Sequence, residues 1–156
     1  MVSNDLYRIR KIAEYQFGIG IGNILFPDGV IIEKSKRTGR IRRVYYNGKL
    51  IATIRANDGH LALSIEGARR IHMGTKKPKL RVIVKSEIAE FIKKGRNVFA
   101  KHVIDADPNI RAGEEVIVVD ENDNLLAVGK ATLSGEEMIA FKTGIAVKVR
   151  YGIGGE

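Results

Sequence analysis

Residues 95–119 read GRNVFAKHVIDADPNIRAGEEVIVV, and the order of residue types in this stretch decides what kind of fold surrounds it. Gly95 follows a helical pattern and supplies the positive φ that ends a helix cheaply. From Asn97 to Ile104 the residues turn apolar and β-branched, which predicts a strand, and Asp107-Pro108-Asn109 predicts a turn. A second strand is expected over Glu115 to Val119. Short strands separated by stiff turns and punctuated by one helix predict a small barrel, whose loops and edge groove face ligands.

Working outward toward the C-terminus, Asp120 to Asn124 reads as a turn, Leu125 to Lys130 as a strand and Ser134 to Glu137 as the opening of a helical turn. In the closing strand, Ile145 to Tyr151, alternation places Ile145, Val147 and Val149 inward and Ala146, Lys148 and Arg150 outward. Two cations about 7 Å apart would then suit successive phosphates of a nucleic-acid strand. Toward the N-terminus, Ser86 is expected to cap a helix with Ile88, Ala89, Phe91 and Ile92 as its buried stripe, preceded by a strand over Leu80 to Val84. Met73 to Lys79 reads as a linker, so the chain is expected to divide into residues 1–77 and 78–156.

The first half opens with a helix on which Leu6, Ile9, Ala13 and Phe17 recur at helical spacing, with Asn4 or Asp5 as its cap. Glycines 18, 20 and 22 share the look of a dinucleotide fingerprint, but they follow a helix and lack its full spacing; a loop that lets backbone approach or bend is the better reading. Strands are expected over Val30 to Glu33, Ile41 to Tyr46, Leu50 to Arg55 and His60 to Ser64, with Asn47-Gly48 and Asn57-Asp58-Gly59 as hairpin turns. Ser64 is placed to cap a short helix through Ile71.

The 156 residues carry a net charge of +9, and all of the excess lies in the first half: residues 1–78 hold 15 Lys+Arg against 6 Asp+Glu, residues 79–156 hold 12 of each. The densest patch is Lys34 to Arg43, six basic residues and no acid. On a hairpin turning at Thr38-Gly39, Arg40 and Arg42 would share one face, with Ile41 and Arg43 on the other. Like charges at this density are either a solvated tip or a phosphate clamp built from Arg37, Arg40, Arg42 and Arg43, and the asymmetry points to a polyanion, nucleic acid ahead of a membrane surface. No cysteine is present and the three histidines are scattered, so thiolate chemistry and a histidine metal site are excluded, and no cofactor is expected. No run approaches the roughly 18 apolar residues of a membrane span, and the polar start lacks the apolar block of a signal peptide, so a cytoplasmic location is expected.

From Lys79 to Gly152 the order of strand, helix, Gly95-Arg96-Asn97-Val98-Phe99-Ala100, Asp107-Pro108-Asn109-Ile110-Arg111, Leu126-Ala127-Val128-Gly129-Lys130 and Gly144-Ile145-Ala146-Val147-Lys148-Val149-Arg150 resembles a PUA domain. The first half, with Glu14-Tyr15-Gln16-Phe17-Gly18, Thr38-Gly39-Arg40-Ile41-Arg42 and Leu50 to Ala56, is similar to the domain preceding PUA in archaeal tRNA-guanine transglycosylases. The resemblance implies an α+β chain, a small α+β domain followed by a PUA-type β pseudo-barrel with short helices, matching the RNA-binding tail of that family without its catalytic barrel. It further implies an RNA groove formed by Gly95, Arg96 and Asn97, the following strand from Val98 to Lys101, and Lys148 and Arg150 of the last strand.

Chemistry is compatible with those positions. A glycine admits a close RNA backbone, adjacent amides can donate to phosphate oxygens, Arg96 is a planar bidentate donor and Asn97 can read a base edge or a 2′-hydroxyl. The same residues also have a local account as helix terminator, solvated side chain and turn residue. Asp105 and Asp107 read as turn chemistry rather than a catalytic pair, so no catalytic residue is expected. The expected protein is a non-catalytic RNA binder, tRNA foremost among its partners; the alternative is the detached RNA-binding subunit of a tRNA-modifying enzyme, completed by a separate catalytic chain.

Overall fold

The computed structural model describes residues 4–154, and the chain divides into two compact units between Gly74 and Thr75. In the first unit, α1 (Asn4–Phe17) buries Leu6, Ile9, Ala13 and Phe17, the four positions its periodicity marks. Asn4 and Asp5 lie inside its first turn, so they are helical rather than capping residues. The glycine-rich segment folds differently from a plain loop, since Ile21–Leu25 forms a five-residue helix, α2. Gly22 lets α2 lie against α1, because a Cβ there would stand 2.7 Å from the Arg10 carbonyl oxygen. The Glu14 carboxylate accepts the N–H groups of Gly20 at 3.0 Å and Gly22 at 2.6 Å, satisfying donors at the start of α2.

Four strands follow as an antiparallel meander, β1 (Ile31–Lys34), β2 (Ile41–Tyr46), β3 (Lys49–Ile54) and β4 (Leu61–Leu63), each paired with the next. Asn47 and Gly48 both take positive φ, 50° and 77°, as a two-residue hairpin turn requires. Ser64 accepts the Gly67 N–H and caps α3 (Ile65–Gly74) as its sequence position predicts. Val44, Ile51, Ala52, Leu61 and Leu63 of the sheet and Ala68 and Ile71 of α3 are buried with the stripe of α1.

The second unit is a six-stranded sheet made of β5 (Arg81–Val84), β6 (Val98–Phe99), β7 (Val103–Ala106), β8 (Glu115–Val119), β9 (Leu125–Ala131) and β10 (Ile145–Gly152), in the order β6-β10-β9-β8-β5-β7. Among the described residues only β5 and β8 run parallel. The continuous strand expected from Asn97 to Ile104 is in fact two strands, parted by a 3-10 turn over Ala100–His102, and they occupy opposite edges of the sheet. Three linking residues span at most about 14 Å, whereas the edges of a flat six-stranded sheet stand about 24 Å apart. The sheet therefore curls until its edges nearly meet, which produces the PUA-type barrel. Val82, Val84, Val98, Val116, Val118, Leu126 and Val147 fill its interior.

Two helices serve this barrel. Ser86 does not cap the first: the chain enters through a 3-10 turn over Ser86–Ile88, and α4 (Ala89–Lys93) buries Ala89 and Ile92 while Phe91 is 56% exposed, not part of the stripe. The second, α5 (Gly135–Ala140), opens with a reciprocal capping box between Ser134 and Glu137. Arg81 is fully buried in an otherwise apolar strand. Its guanidinium is paired with Asp123 at 2.8 Å and bonded to Thr75 Oγ1 and the Lys79 carbonyl, both at 2.9 Å, which ties the segment before β5 to the β8–β9 turn.

Candidate nucleic-acid interface

In an antiparallel meander the first and third connections emerge at the same end. Here the β1–β2 and β3–β4 loops are built alike. Ser35 N–H donates to the Arg40 carbonyl at 2.8 Å and Gly39 N–H to the Ser35 carbonyl at 2.8 Å; Arg55 N–H donates to the His60 carbonyl and Gly59 N–H to the Arg55 carbonyl, both at 2.9 Å. Gly39 and Gly59 share a φ of 72°, and Thr38 and Asp58 each accept the N–H two residues on. These two loops, with Arg8 and Ile12 of α1, enclose a groove of about 880 Å³.

Five arginines line it, Arg8, Arg37, Arg40, Arg42 and Arg55, against one acidic residue, Asp58. Asp58 lies 3.5 Å from Arg55 Nε and is held below the ordinary carboxylate range chiefly by the His60 N–H. Among the described residues, Arg8, Arg37, Arg40 and Arg42 form no ion pair with a carboxylate. Arg43 is different. It lies outside the groove, bound to Glu33 at 2.7 Å, which raises its affinity for its proton, and Lys34 is likewise paired with Asp5 at 2.8 Å. The basic run is thus partly neutralised by acids outside it, and Ile41 joins Arg40 and Arg42 in the groove wall instead of opposing them. Arg8 and Arg55 carry no signal in the run from Lys34 to Arg43. Comparing the two loop sequences, each ending in Gly after a Thr or Asp, would have brought Arg55 into view.

In the second unit, Gly95 ends α4 at φ 99° as expected. Its N–H donates to the Ile92 carbonyl at 2.9 Å and the Arg96 N–H to the Phe91 carbonyl at 3.1 Å, the paired bonds of a Schellman cap. Both amides are therefore committed, and neither can donate to a phosphate. The Arg96 side chain is exposed. Asn97 Oδ1 accepts the Val149 N–H at 3.0 Å and so pins β10 beside the cap. Val98 points into the core and can offer an RNA no side-chain contact; Lys101, exposed, sits in the 3-10 turn rather than on a strand.

Alternation along β10 breaks at two bulges. Ala146 is the extra residue opposite β6 and is buried, and Arg150 is the extra residue opposite β9. Arg150 turns its guanidinium to both oxygens of the buried Glu115; burial opposes its charge, but the carboxylate outweighs this and raises its pKa. Of the expected cations on β10, Lys148 alone is exposed, and it lies between the residues that register with Val98 and bond Asn97. Phe91, Phe99 and Tyr151 are exposed aromatics on the same elements. Asp107 spends its oxygens on the Leu80 and Asn109 N–H groups, which is turn chemistry.

Residues 7–78 match the patch-forming domain C2 of tRNA-guanine transglycosylase, and residues 80–153 match the PUA domain. The chain is 52% identical over 149 residues to the tRNA-guanine(15) transglycosylase of Methanothermobacter thermautotrophicus, covering 96% of this chain and 23% of that protein. It is 54% identical over 151 residues to the enzyme of Thermoplasma volcanium, covering 96% and 24%. The chain thus spans about a quarter of the length of these relatives. A hypothetical protein of Pyrococcus horikoshii shares the fold with a TM-score of 0.75 at 24% identity over 97% of this chain and 92% of that one. A conserved PUA domain protein of Thermoplasma acidophilum does so with a TM-score of 0.66 at 20% identity, over 99% and 93%.

Proposed function

We propose that this chain, which matches the C2 domain of tRNA-guanine transglycosylase in its first unit and the PUA domain in its second, binds structured RNA and takes tRNA as its main ligand. The observation that carries the reading is the gathering of five arginines around one groove whose lining includes a single acidic residue. Arg37, Arg40 and Arg42 supply phosphate contacts there, and release of counterions from the RNA gives the affinity. In the PUA unit the contacts come from the side chains of Arg96, Lys101 and Lys148. Gly95 and Asn97 shape that surface, Gly95 by ending the helix and Asn97 by holding β10. Arg150 contributes by fixing Glu115, and Val98 by packing beneath. The protein itself performs no chemistry in this reading, and relatives named for tRNA support tRNA over other RNAs.

Electrophoretic or filter-binding titration against tRNA, another folded RNA and an unstructured RNA at several salt concentrations tests the reading. Binding to all three with a steep salt dependence, strongest for tRNA, is expected; absence of binding to any of them would refute it. A second reading rests on the relatives named tRNA-guanine(15) transglycosylase: the chain supplies RNA binding to a tRNA-modifying enzyme whose catalytic part is a separate chain. Co-purification with such a chain, and base exchange in tRNA only when both are mixed, is the expected result.

A further inference from the structure

We propose that the groove between the two hairpin loops and α1 seats an unpaired RNA strand, one base lying against an aliphatic floor and the flanking phosphates on the surrounding arginines; this rests on the RNA-binding reading above. The groove is too large and too apolar for a bare phosphate clamp. At about 880 Å³ it lies within the roughly 300–1,000 Å³ that accommodates small organic ligands. Half-buried Ile12, Ile41 and Ile54 line it from α1, β2 and β3, while the arginines come from both loops, from Arg42 on β2 and from Arg8 on α1. Cations ringed about an aliphatic surface match a ligand that is anionic along its backbone and flat and apolar on its face, and a nucleotide is both. Every base has such a face, and guanidinium planes stack on bases as well as bind phosphates.

An unpaired strand satisfies this arrangement and a duplex does not. In A-form RNA the bases are stacked inward and the helix offers ribose, phosphate and a shallow minor groove, none of which can reach the floor of a concave site. The walls are also preorganised. Each loop is closed by two backbone hydrogen bonds, so little freedom is lost when a strand enters.

The probes are a fluorescent eight-nucleotide oligouridine, its duplex with oligoadenosine, and the same strand with abasic sugars at its four central positions. Each is titrated by anisotropy against the full chain and against Arg8→Gln/Arg40→Gln, which removes two exposed arginines that hold no ion pair among the described residues. The intact strand is expected to bind at least about ten-fold tighter than the duplex and about ten-fold tighter than the abasic strand. Both differences should vanish in the variant, whose melting should match the parent. Equal affinity for intact and abasic strands would overturn the inference while leaving RNA binding intact, as would differences that persist in the variant or an octaglutamate peptide binding as tightly as the strand. Failure of every RNA to bind, tRNA included, would instead overturn the RNA-binding reading itself.

Discussion

At Arg96 the main chain and the side chain serve separate ends, because the amide completes the helix cap while the guanidinium extends into solvent. Arg96→Ala should therefore melt like the parent, yet lose about ten- to a hundred-fold in affinity for the preferred RNA, the value of roughly 1.5–3 kcal/mol for a charged hydrogen bond. Its affinity for a random RNA should change less, and competition binding reads the difference. Gly95→Ala should do the reverse. Its Cβ would meet nothing within 4 Å but would force a φ of 99° on an L side chain, at about 1–2 kcal/mol. A lowered midpoint in thermal denaturation with RNA affinity unchanged is expected. Glu14 gives a pH signature. The Gly20 and then the Gly22 N–H lower its pKa in the folded state, so its contribution is complete above the ordinary glutamate value of about 4.5 and is lost as pH falls through the depressed folded value. Melting between pH 3 and 7 should show that acid-side loss in the parent and a smaller one in Glu14→Gln.

Hairpins and bulges divide what the sequence disclosed from what it did not. Asn47-Gly48 and Asp58-Gly59 were legible because a turn with positive φ is a local demand that few residue types meet. The stripe of α1 was legible because periodicity is local too. The break at Ala100–His102 was not, since nothing in Val98 to Ala106 tells one strand from two; closure of the sheet enforces it. Nor were the orientations of Ala146 and Arg150, because one inserted residue in a ladder reverses the faces that alternation assigns. The basic hairpin was found, but its neutralising partners Asp5 and Glu33 lie outside the run and Arg8 and Arg55 come from other elements. Replacing Arg37, Arg40 and Arg42 with Ala should weaken RNAs that present an unpaired strand more than fully duplex RNA and lower the slope of log affinity against log salt by about two. Arg43→Ala should leave that slope nearly unchanged, since Glu33 already balances its charge. Equal effects of the triple and the single variant in filter binding would assign the salt dependence to net charge instead of to the groove.

Considered whole, the chain assigns its two units different surfaces: a groove lined by five arginines in the first, and in the second a helix cap and a closing strand with exposed cations and aromatics. Arg81 shows what the second unit requires internally. Arg81→Leu would leave Asp123 without its buried partner and should cost about 3–5 kcal/mol, read from chemical denaturation. The strand order of that unit also has a consequence for the timing of synthesis. β10, made after the other five strands of this sheet, lies between β6 and β9, and among the described residues two-residue β6 has no other strand partner. A nascent chain that has emerged only as far as Gly144 holds four of the other strands in register but leaves the seam of the barrel open beside β9. Emergence of the chain past Gly152 is then the moment at which Asn97 acquires the Val149 amide and the surface proposed to face RNA first exists. Protease protection of stalled chains should accordingly rise in one step between those two lengths instead of strand by strand.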